Sequence, residues 1–127
     1  ALGLALAIGF VHFRHVTWDP RLVALTLFTF IGVLCVLAVA EEFFFRGLLQ
    51  QQLSRLFRGD VAGLIVASMI FGAAHLPYHA FPNWKFALLA TFAGIFYGRA
   101  YIQARSIRAA MVTHALVVTT MKMFLST

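Results

Sequence analysis

Two adjacent carboxylates and an arginine, Glu41, Glu42 and Arg46, stand inside apolar sequence. The stretch before them, Leu22 to Ala40, contains no charged residue. An ionised side chain at the centre of a bilayer costs about 2.5–3.5 kcal/mol on insertion scales. A chain therefore keeps such groups for chemistry, for transport, or for a pairing that holds a helix in place. Two later apolar segments each contain a histidine, and the available chemistry depends on whether these residues meet the carboxylates.

Glu42 and Arg46 are four residues apart, so on a helix they share one face in the acid-first order that favours an ion pair. The simplest interpretation is that these two residues neutralise each other. Glu41 has no such partner, because Phe45 occupies the corresponding position. A carboxylate without a partner charge, close to a histidine, is what a general base requires. The alternative for Glu41 is a helix-end carboxylate that is solvated at the membrane interface.

A predicted hairpin turn at Gly59 places Glu41 and His75 at similar depth. Glu41 lies 18 residues before Gly59, and His75 lies 16 residues after it. In two antiparallel helices this difference corresponds to only about 3 Å at a rise of 1.5 Å per residue. We therefore expect that Glu41 and His75 can face each other, although their spacing does not establish which way either side chain points.

Both histidines also have structural interpretations. His75 follows small residues near a helix end, where a histidine is often interfacial. His114 lies deeper in an apolar helix, where a buried imidazole needs a polar partner and can serve packing alone. Pro77 breaks the helix between His75 and His79, and there is no H-E-x-x-H motif, so we do not expect a zinc pair there.

The composition predicts a polytopic membrane protein. The chain is 62% hydrophobic and 11% charged, with a mean hydropathy of +0.91, which is too apolar for a soluble domain of this size. The net charge of +6 is typical of basic cytoplasmic loops, so we expect no nucleic-acid partner. We expect residues 1–127 to form a single integral membrane domain. Because the chain opens inside an apolar run, we also expect that earlier helices are missing.

Apolar runs separated by turn residues predict an all-α transmembrane bundle of four to five helices. The predicted spans are residues 2–13, 21–57, 61–76, 84–104 and 109–125. The second helix is expected to kink near the glutamates or to leave the bilayer, and we expect Gly59 to end it and Asp60 to cap the next. In the fourth span, Ala90, Gly94 and Gly98 form a small-residue stripe that lets helices approach closely.

Basic residues are unevenly distributed between the two ends of the predicted bundle. One end carries six of them: Arg46, Arg55, Arg58, Arg99, Arg105 and Arg108. The opposite loops carry three: Arg14, Arg21 and Lys85. This bias predicts that the turns at Arg58 and Ser106 are cytoplasmic.

Together these motifs resemble those of the CAAX-protease and bacteriocin-processing (CPBP) family of intramembrane proteases, which includes the type II CAAX prenyl proteases. Glu41, Glu42 and Arg46 match its E-E-x-x-x-R motif, and Phe71 and His75 match F-x-x-x-H. His114 matches the histidine that begins the third motif. The resemblance covers about residues 38–124.

The resemblance implies a glutamate-dependent endopeptidase of the bacterial plasma membrane, with a site open to one face of the membrane. Its substrate would be a membrane-associated peptide or protein. Glu41 and His75 would activate a water, and His114 would help to stabilise the oxyanion. Glu42 and Arg46 would support the site electrostatically. The implied mechanism needs neither a metal nor another cofactor.

One position departs from the family pattern. The third motif usually continues to an Asn or Asp four residues after the histidine, and this chain has Val118 there. Losing one oxyanion donor typically costs a factor of about 10²–10³ in rate. Thr113, Thr119 or a group from another helix could replace the missing donor.

Two other functions remain open at this point. One is a non-catalytic membrane scaffold or immunity protein of the same fold, which Val118 favours. The other is a metal-dependent membrane hydrolase or metal carrier that uses Glu41, His75 and His114 as ligands.

Overall fold

The computed structural model describes residues 19–126, together with Ala7 and the pair His12–Phe13. In this part of the chain, four helices pack against one another in a single bundle. They are α1 (Pro20–Leu56), α2 (Asp60–Ala74), α3 (Trp84–Ala104) and α4 (Ile107–Phe124). The predicted all-α fold is confirmed, and the bounds of α3 are those predicted.

The two ends of the described chain meet in a minimal antiparallel pair of strands. Strand β1 (His12–Phe13) pairs with β2 (Leu125–Ser126). The helix predicted over residues 2–13 lies mostly outside the described residues. At its described end the prediction is wrong, because His12 and Phe13 are extended in β1.

Local sequence explains where α1 begins. Asp19 caps the helix, since its carboxylate accepts a hydrogen bond from the backbone N–H of Arg21 at 2.9 Å. Pro20 occupies the first helical position, where a missing N–H has no consequence.

The turn between α1 and α2 differs from its prediction. Arg58, and not Gly59, adopts the left-handed conformation, with φ of 53°. The Gly59 N–H donates to the Ser54 carbonyl at 3.0 Å, which satisfies one of the last carbonyls of α1. Asp60 is the first residue of α2, and Gly59, whose backbone is extended, holds the cap position. The prediction that Asp60 caps α2 is therefore wrong, whereas Gly59 does stand at the end of α1, with Arg58 in the left-handed conformation before it.

Helix α1 is continuous but not α-helical throughout. Two π-helical stretches, Val33–Ala38 and Phe43–Gln50, flank the short α-helical segment Val39–Glu42. A π-helical turn contains more residues than an α-helical one, so it changes the direction in which later side chains point, and such turns are frequent at functional sites. The two glutamates stand on the α-helical segment between them.

The surface of α1 is apolar and largely exposed. Its most apolar window has a mean hydropathy of 2.8, and among the described residues α1 is the one helix long and apolar enough to cross a membrane. Its 37 residues correspond to about 55 Å, against a hydrocarbon thickness of about 30 Å. No residue of the segment Pro20–Gly32 is buried. Part of α1 must therefore extend beyond a bilayer that it crosses at a moderate tilt.

Small residues let the helices pack closely around the site. A Cβ on Gly72 would collide with Thr91 and with the Ala87 carbonyl of α3, and a Cβ on Gly98 would collide with Leu64 and Gln50. Glycine at these positions therefore sets the separation of α2 and α3. The predicted stripe is buried along α3, at Ala90, Gly94 and Gly98.

Candidate active site

Glu42 and Arg46 form a fully buried ion pair in α1. Arg46 Nε lies 3.1 Å from Glu42 Oε2, and both side chains are 0% exposed. The orientation of these two atoms does not give a hydrogen bond between them, so the attraction is between the charges. Arg46 Nη2 donates to the Gly94 carbonyl of α3 at 2.6 Å. The guanidinium thus connects the first motif to the small-residue stripe.

Aromatic rings surround the Arg46 guanidinium. Its central carbon lies 4.9 Å from the ring centroid of Phe71 and 5.6 Å from that of Tyr97. Contacts of this length with a ring face attract a cation, and they count for more where water is excluded. Arg46 Nη1 is buried and has no hydrogen-bond partner in the described part of the chain. The rings therefore stabilise the part of the buried Arg46 charge that hydrogen bonds do not.

His114 joins the third motif to the first. Its Nδ1 lies 2.7 Å from Glu42 Oε1, and since a carboxylate only accepts, the imidazole N–H donates in this bond. The His114 ring also stacks on Tyr97, with ring centroids 4.5 Å apart and planes 11° apart. Glu42 and Tyr97 therefore fix the orientation of the imidazole.

Glu41 approaches the opposite edge of the same imidazole. Its Oε2 lies 3.8 Å from His114 Nε2, and the Glu41 side chain is 25% exposed. Oε2 has no hydrogen-bond partner among the described residues. Glu41 is thus the more accessible of the two glutamates, and one of its oxygens is uncommitted.

His75 caps the C-terminus of α2. Its Nδ1 lies 2.7 Å from the Phe71 carbonyl oxygen, which only accepts, so Nδ1 carries the proton. In the neutral imidazole, Nε2 is then left with a free lone pair. The Phe71 ring packs against both histidines, with centroids 4.6 Å from His75 and 6.0 Å from His114.

The structure brings four of the five predicted site residues into direct contact. Glu41, Glu42, Arg46 and His114 form one chain of charged and polar contacts. No hydrogen bond or ion pair between described residues joins His75 to Glu41. His75 instead shares a wall with His114 in a cavity of about 70 Å³, which is otherwise lined mainly by apolar and aromatic side chains.

Val118 also lines this cavity, together with Tyr97 and Met121. The side chain four residues after His114 thus faces the cavity but offers no donor. Thr113 Oγ1 donates to the Ala109 carbonyl at 2.8 Å, so its hydrogen is already used. Thr119 Oγ1 is buried without a hydrogen-bond partner in the described part of the molecule.

Sequence reasoning missed Tyr97 and Gln50. Gln50 continues the face of Glu42 and Arg46 at four-residue spacing, and its Nε2 donates to the Gly98 carbonyl at 3.4 Å. Arg46 and Gln50 thus reach carbonyls four residues apart on α3. The spacing of Gln50 was a usable signal, whereas nothing in the sequence distinguishes Tyr97 from a packing residue.

A metal site was one of the open alternatives. Within the described residues, no group of three or more His, Cys, Asp or Glu side chains is arranged to hold a metal ion.

The fold and the site define a class of protein: a helical bundle with an exposed apolar helix and a buried cluster of carboxylates, arginine and histidine. A family model described as "Type II CAAX prenyl endopeptidase Rce1-like" matches residues 22–120. The chain therefore belongs to the Rce1-like family of type II CAAX prenyl endopeptidases, a protease family of integral membrane proteins. No curated protein and no solved structure matched the chain significantly.

Proposed function

We propose that this protein is an intramembrane endopeptidase that hydrolyses a peptide bond through a water activated by Glu41 and His75. The observation that carries the proposal is the cluster in which Glu42 and Arg46 hold His114 beside the uncommitted oxygen of Glu41. A site that fixes its polar groups by buried contacts before substrate arrives has the preorganisation that catalysis requires.

In this mechanism Glu41 is the general base. The water oxygen attacks the peptide carbonyl carbon, and one water proton passes to the Glu41 carboxylate. The other O–H of the same water donates a hydrogen bond to Nε2 of His75. This nitrogen is free to accept because the Nδ1 proton of His75 is bound to the Phe71 carbonyl. The proton taken up by Glu41 is then delivered to the leaving amine, which completes hydrolysis.

His114 stabilises the oxyanion in this proposal. The charges of Glu41, Glu42 and Arg46 sum to minus one, so a proton on His114 Nε2 brings the cluster to neutrality. The resulting N–H can donate to the developing oxyanion, while Glu42 balances the charge of the imidazolium through its 2.7 Å contact. Arg46 in turn balances Glu42.

The substrate class follows from the family. Its description names CAAX prenyl endopeptidases, so a prenylated C-terminal segment is one candidate, and another membrane-associated peptide is the alternative. The apolar walls of the cavity, which include Leu89, Ala93 and Val117, support a substrate that presents an apolar segment. The cavity lies where α2 ends at His75 and α3 begins near Phe86, which is the end of the bundle opposite the arginine-rich turns, so we place substrate access at that end.

The test is cleavage of a membrane-peptide library, including prenylated peptides, by the purified protein in liposomes. We expect Glu41→Gln to reduce the rate at least about 10²-fold, the lower range for loss of a general base, and chelator to have no effect. Asp19→Asn is the matched control, because Asp19 is an exposed carboxylate and Asn caps a helix equally well. Full activity of the Glu41→Gln variant would contradict the mechanism, and loss of activity on chelation would favour the metal-dependent alternative.

A second candidate function is a non-catalytic membrane scaffold or immunity protein of the same fold. The observation in its favour is Val118, which lines the cavity where the family pattern has an amide or a carboxylate. This function predicts that the folded wild-type protein cleaves no member of the library, and that Glu41→Gln leaves its biological effect intact.

A further inference from the structure

A second cleft lies at the end of the bundle where α1 ends, α2 begins and α3 ends. Its volume is about 370 Å³, within the range of roughly 300–1,000 Å³ of small-ligand sites. The cleft shares no lining residue with the cavity of the candidate active site. Its polar lining comprises Gln50, Gln51, Ser54, Arg55, Asp60, Tyr101 and Arg105.

The cleft carries an excess of positive charge. Arg55 and Arg105 are both exposed, and neither forms an ion pair with any described residue. Asp60 is the acidic residue in the lining, so the formal charge of the cleft is plus one. Two guanidinium groups without carboxylate partners are suited to bidentate hydrogen bonding with a phosphate.

Tyr101 offers a further hydrogen-bond donor to a ligand in the cleft. Gln51 Nε2 donates to the Tyr101 hydroxyl oxygen at 2.7 Å, so the Tyr101 hydrogen is free to donate elsewhere.

The surroundings of the cleft favour a lipid over a soluble phosphate. Leu56 and Val61, which follow Arg55 and Asp60 in the chain, are 72% and 67% exposed. A ligand with a charged head and apolar chains matches this combination, whereas a free phosphate makes no use of the apolar residues. Basic pockets between transmembrane helices on the cytoplasmic side are where anionic headgroups bind.

We propose that this cleft binds the phosphate of an anionic phospholipid headgroup. Arg55 and Arg105 contact the phosphate oxygens, and Tyr101 donates its free hydroxyl hydrogen. The site is separate from the proposed peptidase site, so it does not depend on the peptidase proposal.

The test is native mass spectrometry of the full chain titrated with phosphatidylglycerol or phosphatidylcholine in detergent. We expect one phosphatidylglycerol to bind with saturation and phosphatidylcholine to bind at least about tenfold more weakly. Replacing both cleft arginines, in the variant R55Q/R105Q, should weaken phosphatidylglycerol binding by about tenfold or more, as expected for loss of charged hydrogen bonds.

The variant R58Q/R108Q is the matched control. Arg58 and Arg108 lie at the same end of the bundle and are exposed but do not line the cleft. Each pair also contains one arginine with a left-handed backbone, Arg58 at φ 53° and Arg105 at φ 48°, so backbone effects cancel. We expect this control to retain binding within about twofold, because it removes the same charge without removing a ligand.

Three outcomes would overturn the proposal. Equal weakening in both double variants would show attraction by general surface charge and no site. Unchanged binding in R55Q/R105Q would remove the arginines as ligands. Displacement of the lipid by glycerol 3-phosphate at concentrations equal to those of phosphatidylglycerol would assign the cleft to a soluble phosphate. All four substituted arginines are exposed, so the circular dichroism spectra of both variants should match that of the wild type.

Discussion

At the residue scale, the site depends on how its charges are shared. Glu42 serves two partners at once, Arg46 through Oε2 and His114 through Oε1. A buried carboxylate is tolerated only where its charge and its lone pairs are matched, and here both oxygens have a positively charged or donating neighbour. Glu41 has one such neighbour at 3.8 Å. This difference supports the proposed division of roles, in which Glu42 orients His114 and Glu41 is the general base.

Val118 gives the residue-scale prediction. We expect Val118→Asn to increase the rate of peptide cleavage by as much as about 10²–10³-fold, since that is the usual cost of removing one oxyanion donor. Val118 lines the cavity and stands one helical turn after His114, so an amide there can reach the same reacting atom. Rates of wild type and variant would be compared on the library substrate that is cleaved fastest.

Val117→Asn is the control for this substitution. Val117 lines the same cavity but is three residues from His114, so it introduces an amide without the spacing of the family motif. An equal increase in both variants would attribute the effect to general polarity, and no increase in Val118→Asn would contradict its role as the missing donor.

At the element scale, glycines control how closely α2 and α3 approach. Gly72 faces Thr91 and the Ala87 carbonyl, and neither leaves space for a methyl group. Backbone cannot move aside as a flexible side chain can, so a larger residue must push the helices apart. Because His75 caps α2 three residues later, such a displacement would also move one wall of the cavity.

We therefore predict that Gly72→Ala destabilises the protein by about 1–3 kcal/mol, the usual cost of overpacking. Gly32→Ala is the matched control, since a Cβ there meets nothing within 4 Å and alanine favours a helix by up to about 1 kcal/mol. The free energy of unfolding would be measured by denaturant titration in detergent. Equal stability of the two variants would contradict the close approach of α2 and α3 at Gly72.

At the scale of the whole molecule, the distribution of polarity differs from that of a water-soluble protein. Charged and amide side chains are buried within an apolar core, at Glu42, Arg46 and Gln50, while Val36 and Phe28 of α1 are each 76% exposed. Exposed apolar surface on this scale is stable only against lipid or another protein. Family membership and the apolar surface of α1 therefore both indicate a membrane protein.

This polarity predicts how Cys35 reacts. Cys35 is exposed on the surface of α1, within the segment expected to meet lipid, so a membrane-impermeant maleimide should not label it in liposomes until the membrane is dissolved. The variant C35S/S106C provides the control, because Ser106 lies in the turn between α3 and α4 and should be labelled when that face is accessible. Rapid labelling of Cys35 in intact liposomes, followed by mass spectrometry, would contradict a membrane-embedded α1.

Sequence alone determined the helices and the residues worth testing. Hydropathy and turn residues predicted α3 without error and placed the helix boundaries of α2 and α4 within two residues, because apolar runs and helix stops are local properties. The spacing of Glu42 and Arg46 predicted their ion pair, since positions four apart share a helix face wherever the helix lies. The prediction of a first helix over residues 2–13 was wrong at its described end, because His12 and Phe13 pair with the distant strand β2.

Only the tertiary structure decided which side chains meet. Counting residues from a turn gives depth along a helix axis, and it placed Glu41 level with His75, but it does not give the rotation of either helix. Packing, with the two π-helical stretches of α1, turns Glu41 and Glu42 toward His114, and the turn at Arg58 adopts a conformation that Gly59 was expected to supply. Contacts between distant segments depend on the whole bundle, because the orientation of each helix is set by the surfaces of all its neighbours.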